Sequence, residues 1–141
     1  MSTDTPDCEH ILHDNGIHEF IFHKSTRKAV DIQLNIMQDV RDSTAPHEKI
    51  YLLTDFRPGG MPPFRYALQK TKILNQRYDI QHSMKQAYLN KPGPLIEIAR
   101  TFLNTIFPNS GVRFFGEHER DAALAWLIAE KEGIQPKTEI K

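Results

Sequence analysis

Four of the seven histidines, His10, His13, His18 and His23, fall within 23 residues of the N-terminus. Imidazoles at such density raise the question of a metal site. Binding requires neutral rings converging on one ion, usually with a carboxylate. These four sit on short alternating segments, where His10 and His13 point to opposite sides, so no metal is expected. Nucleophilic chemistry has no better footing. The single cysteine, Cys8, lies in a segment expected to be a flexible tail, and the chain has no Gly-x-Ser-x-Gly elbow. His82 and Ser83 are neighbours on opposite strand faces, which rules out a dyad. Without a Gly-x-Gly-x-x-Gly or Walker-type loop, nucleotide binding has no motif to rest on. No catalytic residue, metal ligand or cofactor is therefore assigned.

Two Pro/Gly loops remain, Asp55-Phe56-Arg57-Pro58-Gly59-Gly60-Met61 and Asn90-Lys91-Pro92-Gly93. Each follows a strand-like run and precedes a helix-like one. Loops leaving the carboxyl ends of neighbouring parallel strands meet beside helix N-termini, where free N–H groups and the helix dipole favour an anion. Arg57 and Lys91 would add charge, and Gly59, Gly60 and Gly93 would allow close backbone approach. Phe56 and Met61 could wall an apolar flank, with Asp55 and Asn90 at the strand ends. If the chain binds a small anionic or lipid-like ligand, this edge is where it is expected; the alternative is that Pro58 and the glycines simply turn the chain and that Pro63 and Pro94 start helices.

The elements that must position these loops are legible in order. Residues 10–14 and 17–23 read as two strands joined by Asn15-Gly16, a dipeptide suited to a tight turn with two positive-φ residues. Ser25 or Thr26 opens a helix with a stripe of Val30, Leu34, Met37 and Val40. Ile50-Tyr51-Leu52-Leu53-Thr54-Asp55 is a continuous run of the kind buried on both faces. A helix from about residue 63 carries Ala67, Leu68, Thr71 and Leu74 inward and Arg65, Gln69 and Lys72 outward. Ser83–Leu89 is the next strand. Leu95, Ile98, Ala99, Phe102, Leu103 and Ile106 mark a third helix. Val112–Phe115 then feeds a closing helix that starts near residue 118, in which Leu124, Leu127 and Ile128 should cover the sheet. The order β-β-α-β-α-β-α-β-α predicts an α/β fold. Its sheet should be mixed, mostly parallel and four- to five-stranded, with helices packed on its faces.

At 141 residues, with 39% hydrophobic and 26% charged residues, the chain is expected to form one domain over residues 9–132. Residues 1–8 and 133–141 are expected to be a flexible tail and a frayed one. The longest apolar run, Ala122–Ala129, has eight residues, which is too few to span a bilayer. The polar, acidic start is the reverse of a secretory signal, so a cytoplasmic location is expected. Net charge is zero but uneven. Residues 1–23 hold five acids and no Lys or Arg, whereas residues 56–96 hold seven bases and one acid. Such asymmetry marks an anionic partner or a self-complementary dimer in some proteins, but more often it is just the solvated face of helices. With a pI near 7.1 and no Lys/Arg cluster interleaved with aromatics, nucleic acid is not expected.

The element order, the closing Val112-Arg113-Phe114-Phe115 and the helix carrying Glu117, Glu119, Ala123, Trp126 and Leu127 together resemble the STAS superfamily. The nearest likeness is to its stand-alone SpoIIAA-like bacterial branch, over about residues 9–130. The resemblance implies a regulatory or protein-binding domain, homodimeric and without enzymatic activity. Signalling members carry a phosphorylatable serine at the start of the second long helix. The corresponding loop here, Asp55 to Pro63, offers no hydroxyl, and Thr54 lies within the preceding strand. The phosphoserine switch is therefore expected to be absent. A carrier or sensor of a small amphipathic or anionic ligand is the alternative.

Overall fold

The computed structural model describes residues 5–79, 82–92, 101 and 111–133. Hydrophobic alternation sets up five short strands. β1 is Cys8–Leu12, β2 His18–Phe22, β3 Ile50–Asp55, β4 Met84–Leu89 and β5 Gly111–Phe115. Three helices are described: α1 Arg27–Asp42, α2 Phe64–Asn75 and α3 Arg120–Glu132. The sheet order is β1-β2-β3-β4-β5, with β1 antiparallel to β2 and every later pair parallel.

Strands laid down in one direction have a consequence for the helices. Right-handed crossovers place their connecting helices on one face of the sheet. α1 and α2 accordingly pack together over a core of Phe20, Phe22, Val30, Met37, Leu52 and Tyr88. α3 follows the last strand, is no crossover, and covers the opposite face against Leu53, Ala87, Leu89 and Phe115. All six residues of β3 are buried, as expected of a central strand covered on both sides. Leu127 of α3 is fully buried, while Leu124, Trp126 and Ile128 pack at its flanks.

Helix ends follow local chemistry. Thr26 caps α1 by accepting the Ala29 N–H at 3.1 Å, α2 opens directly after Pro63, and Gly133 closes α3 at φ +72.

Two expectations are corrected. The first hairpin strand begins two residues earlier than its alternation suggested, and Cys8, expected in a tail, opens β1 at 2% exposure. Pairing of Cys8 with Phe22 draws it in, and Asp7 extends the tie by accepting the backbone N–H groups of His23 and Lys24. The turn is not the two-residue kind either. The Gly16 N–H donates to the His13 carbonyl at 2.9 Å, and only Gly16 takes a positive φ. Asn15 instead accepts the Ile17 N–H on its side chain at 3.0 Å. The third helix read at Leu95–Ile106 and the C-terminal tail lie outside the described residues.

Candidate functional site

At the carboxyl edge, Asp55 is the last residue of β3 and is buried. Arg57 lies two residues on and folds back onto it. Its Nε and Nη2 donate to the two Asp55 carboxylate oxygens at 2.9 and 2.8 Å, and its backbone N–H donates to Oδ1 at 2.9 Å. Nη1 donates to the Glu117 carbonyl at 2.9 Å, tying the β3 loop to the start of the segment after β5. The Asp55 hydrogen bond raises the Arg57 pKa above its already high value. Arg57 is thus a clamp whose charge is met within the chain.

The two glycines of this loop answer to the chain path. The Gly59 N–H donates to the Phe22 carbonyl at 2.8 Å, and a Cβ there would sit 2.5 Å from the His23 backbone. Gly60 turns at φ +85 and donates to the Phe56 carbonyl at 2.8 Å. Phe56 is driven inward into an aromatic ladder across the sheet. It meets Phe22 edge-on at 5.0 Å and stacks on Tyr88 at 5.6 Å, and Tyr88 stacks on Phe114 at 5.4 Å. Asn90 and Lys91 line a separate groove with Phe114 to Glu119. Asn90 is buried, and neither polar atom of its side chain has a partner among the described residues. Gly93 lies outside those residues. The loop residues therefore form three groupings: the Asp55–Arg57 clamp, the inward-facing Phe56 and Met61, and the Asn90–Lys91 groove.

Phe56 and Met61 help to enclose a cavity of about 100 Å³ between α1, α2 and the sheet. Leu34, Met37, Leu52 and Leu74 make it apolar, and Gln86 and Arg41 also line it. The Tyr88 hydroxyl donates to Gln86 Oε1 at 2.7 Å, which leaves Gln86 Nε2 buried without a partner among the described residues. Burial pushes the Tyr88 phenol far above its ordinary pKa, so it stays a neutral donor. Arg41 is buried, donates to Asn75 Oδ1 at 2.7 Å and lies 3.9 Å over the Tyr78 ring. Burial lowers its pKa. Sequence reasoning missed this cavity. Its one legible trace is Gln86, an amide in the middle of an otherwise buried strand.

The histidines are paired within the hairpin. His10 Nε2 and His18 Nδ1 are 3.0 Å apart, with ring planes 13° apart, so one ring donates to the other, while His10 stacks on Phe20. Burial lowers both pKa values, and His10 lowers that of His18 further. His13 and His23 bond Glu19 and Glu9, each at 2.8 Å. Among the described residues, no three His, Cys, Asp or Glu are placed to hold a metal ion. Burial, with Glu9 adding to it, pushes the Cys8 thiol up to about 12, the opposite of an activated nucleophile. Glu19, 2% exposed, accepts from Arg120 at 2.7 Å, which ties β2 to the first turn of α3.

A hairpin-led, in-line parallel sheet with its edge charges paired internally defines an α/β domain of the STAS-like kind. The family model described as SpoIIAA-like matches residues 21–128, and the chain belongs to that family. No curated protein and no solved structure matches it. Among the described residues, no helix is long and apolar enough to cross a membrane.

Proposed function

We propose that this chain is a non-enzymatic, cytoplasmic regulatory module that works by binding another protein through the outer face of α2. One observation carries the reading. α2 contains no acidic residue and exposes Arg65, Gln69, Lys70 and Lys72, together with Ile73 at 46% exposure. Gln76 and Arg77 continue the exposed patch just beyond the helix. A basic face with an apolar centre suits an acidic protein surface. Three of the N-terminal acids do not supply it from within. Asp7 bonds Thr26 and lies by Lys24, Glu9 bonds His23, and Glu19 bonds Arg120.

Regulation by a phosphoserine has no support here, since the loop from Asp55 to Pro63 has no hydroxyl and Thr54 is fully buried. The test compares capture from host extract by the wild type and by the Arg65→Glu/Lys72→Glu/Arg77→Glu variant. A specific partner should be retained in stoichiometric amount by the wild type only, and less so as salt rises. Identical captured sets would sink the reading. Sedimentation equilibrium of the purified chain reads out homodimerisation, with a second copy as the partner.

A second reading, a carrier or sensor of a small amphipathic or anionic ligand, is favoured by the cavity that Phe56 and Met61 help to enclose. It moves the ligand from the loop edge to the space beneath α1 and α2.

A further inference from the structure

We infer that α1 and α2 together form a docking face for a second copy of this chain, packed about a two-fold axis that runs along the seam between them. The inference rests on the reading of α2 as a binding surface and names its partner. Two hydrogen bonds fix how the helices lie. The Tyr66 hydroxyl donates to Asp31 at 2.6 Å and the Tyr78 hydroxyl to Asp42 at 2.7 Å. The partners are 35 and 36 residues apart, so the helices run parallel at a nearly constant offset.

Two stripes of the same helical spacing follow from that offset. Asp31, Asn35, Gln38 and Asp42 lie along α1. Tyr66, Lys70, Ile73 and Arg77 lie along α2 and the turn after it. Asp31, Asn35 and Gln38 share one shallow groove with Lys70, Ile73 and Arg77, so both stripes border the seam. Their charges are opposite, two acids on one and two bases on the other. Among the described residues, no ion pair joins Asp31, Asp42, Lys70 or Arg77 to another group of the chain.

A two-fold interface requires a face complementary to itself. An axis along the seam lays the α1 stripe of one copy over the α2 stripe of the other. Asp42 then faces Arg77 of the second copy, and symmetry repeats the contact. Asn35 falls over Lys70, and Gln38 covers Ile73, which is 46% exposed. Arg27 and Lys28 fall over Pro62 and Pro63, where no base opposes them. A uniformly acidic partner would instead set carboxylates against Asp31 and Asp42. The acidic surface that suits α2 is thus α1 of another copy.

Sedimentation equilibrium of the full chain tests this at up to about 200 µM, where a micromolar dimer is well populated. The wild type should dimerise, and less so as salt rises. Asp42→Arg and Arg77→Asp each set like charges together at both symmetry-related contacts, and each should weaken the dimer at least ten-fold. An equimolar mixture of the two variants should associate as the wild type does, because each contact in the mixed dimer again joins opposite charges. That recovery would also show that both variants fold. Ile73→Asp should weaken the dimer as well. A wild-type dimer that neither charge variant weakens, or a mixture that does not recover, would overturn the inference. A monomeric wild type would overturn it too. The reading of α2 as a binding surface would still stand if the wild type then retained from extract a partner that the Arg65→Glu/Lys72→Glu/Arg77→Glu variant loses.

Discussion

On the face covered by α3, the buried carboxylates Glu19 and Asp55 are each met by an arginine, Arg120 and Arg57. On the face covered by α1 and α2, Thr54 Oγ1 and Gln86 Nε2 are buried without partners among the described residues. Strand alternation puts each set on its own side, since successive side chains of β3 and β4 point to opposite faces. Charges need partners more than neutral groups do, yet neutral groups buried alone still cost about 1–3 kcal/mol each. The α3 face is therefore built to stay closed. The other gives up stability at Thr54 and Gln86 and carries the cavity. Local departures from good packing are expected where a protein binds something, and here they gather on the α1/α2 face.

The largest effect expected from this comparison is on the α3 side. Leu127→Ala empties a fully buried site and should lower stability by about 2–5 kcal/mol in urea unfolding. Leu34→Ala, beside the existing cavity and only partly buried, should lower it by less than about 2 kcal/mol. Equal costs would mean that the two faces are packed alike.

The next effect tests the charge pairing. Arg120→Met leaves the Glu19 carboxylate buried, bonded to His13 and with the Arg57 charge nearby. Removing one partner of a buried ion pair costs about 3–5 kcal/mol, and the partial exposure of Arg120 puts the expectation below that range, at about 2–3 kcal/mol. A cost under about 0.5 kcal/mol would show that Glu19 is solvated in solution and that this face is not locked.

How much of this was legible in the sequence depends on how far apart the interacting residues lie. β3 announced itself because six consecutive residues suit double burial, and Thr26 as a cap needed only the three residues after it. The Asp55–Arg57 clamp was also within reach. An aspartate that accepts the N–H of the second residue on is a local turn motif, and an arginine at that position can close the pair. Reading Arg57 as an open cation overlooked it. The Glu19–Arg120 bond joins residues 101 apart and leaves no local signal. Cys8 was misplaced because its strand is fixed by pairing with Phe22 rather than by its own short, polar-flanked run. The cavity depends on how two helices meet the sheet, which no periodicity encodes.

A smaller effect concerns the His10–His18 pair, on the side of β1 and β2 that carries Phe20. Both imidazoles are held below the ordinary histidine value of about 6.5, by burial and, for His18, by its neighbour as well. As pH falls below about 6.5, the unfolded chain therefore takes up protons before the folded one, and the folded state loses ground. Stability from this pair is complete above that pH and declines beneath it. Urea midpoints at pH 7.5 and 5.5 should differ more in the wild type than in His18→Gln. An equal difference in both proteins would remove the pair from the account.

The smallest effect has the opposite sign and separates the two faces most sharply. Thr54 is fully buried in β3, and its hydroxyl has no partner among the described residues. Thr54→Val exchanges that hydroxyl for a methyl group at nearly constant shape, so no cavity opens and no carboxylate is left alone. The hydroxyl's desolvation is removed, and β-branching, which suits a strand, is retained. The variant should be as stable as the wild type or more stable by about 0.5 kcal/mol, because deleting an unsatisfied buried group relieves rather than breaks an interaction. A matched change on the other face, Asp55→Val, should instead destabilise, since it strands the Arg57 guanidinium between the β3 loop and Glu117. If Thr54→Val cost more than about 1 kcal/mol, its hydroxyl would be bonded in solution. The α1/α2 face would then be as fully satisfied at that position as the face beneath α3.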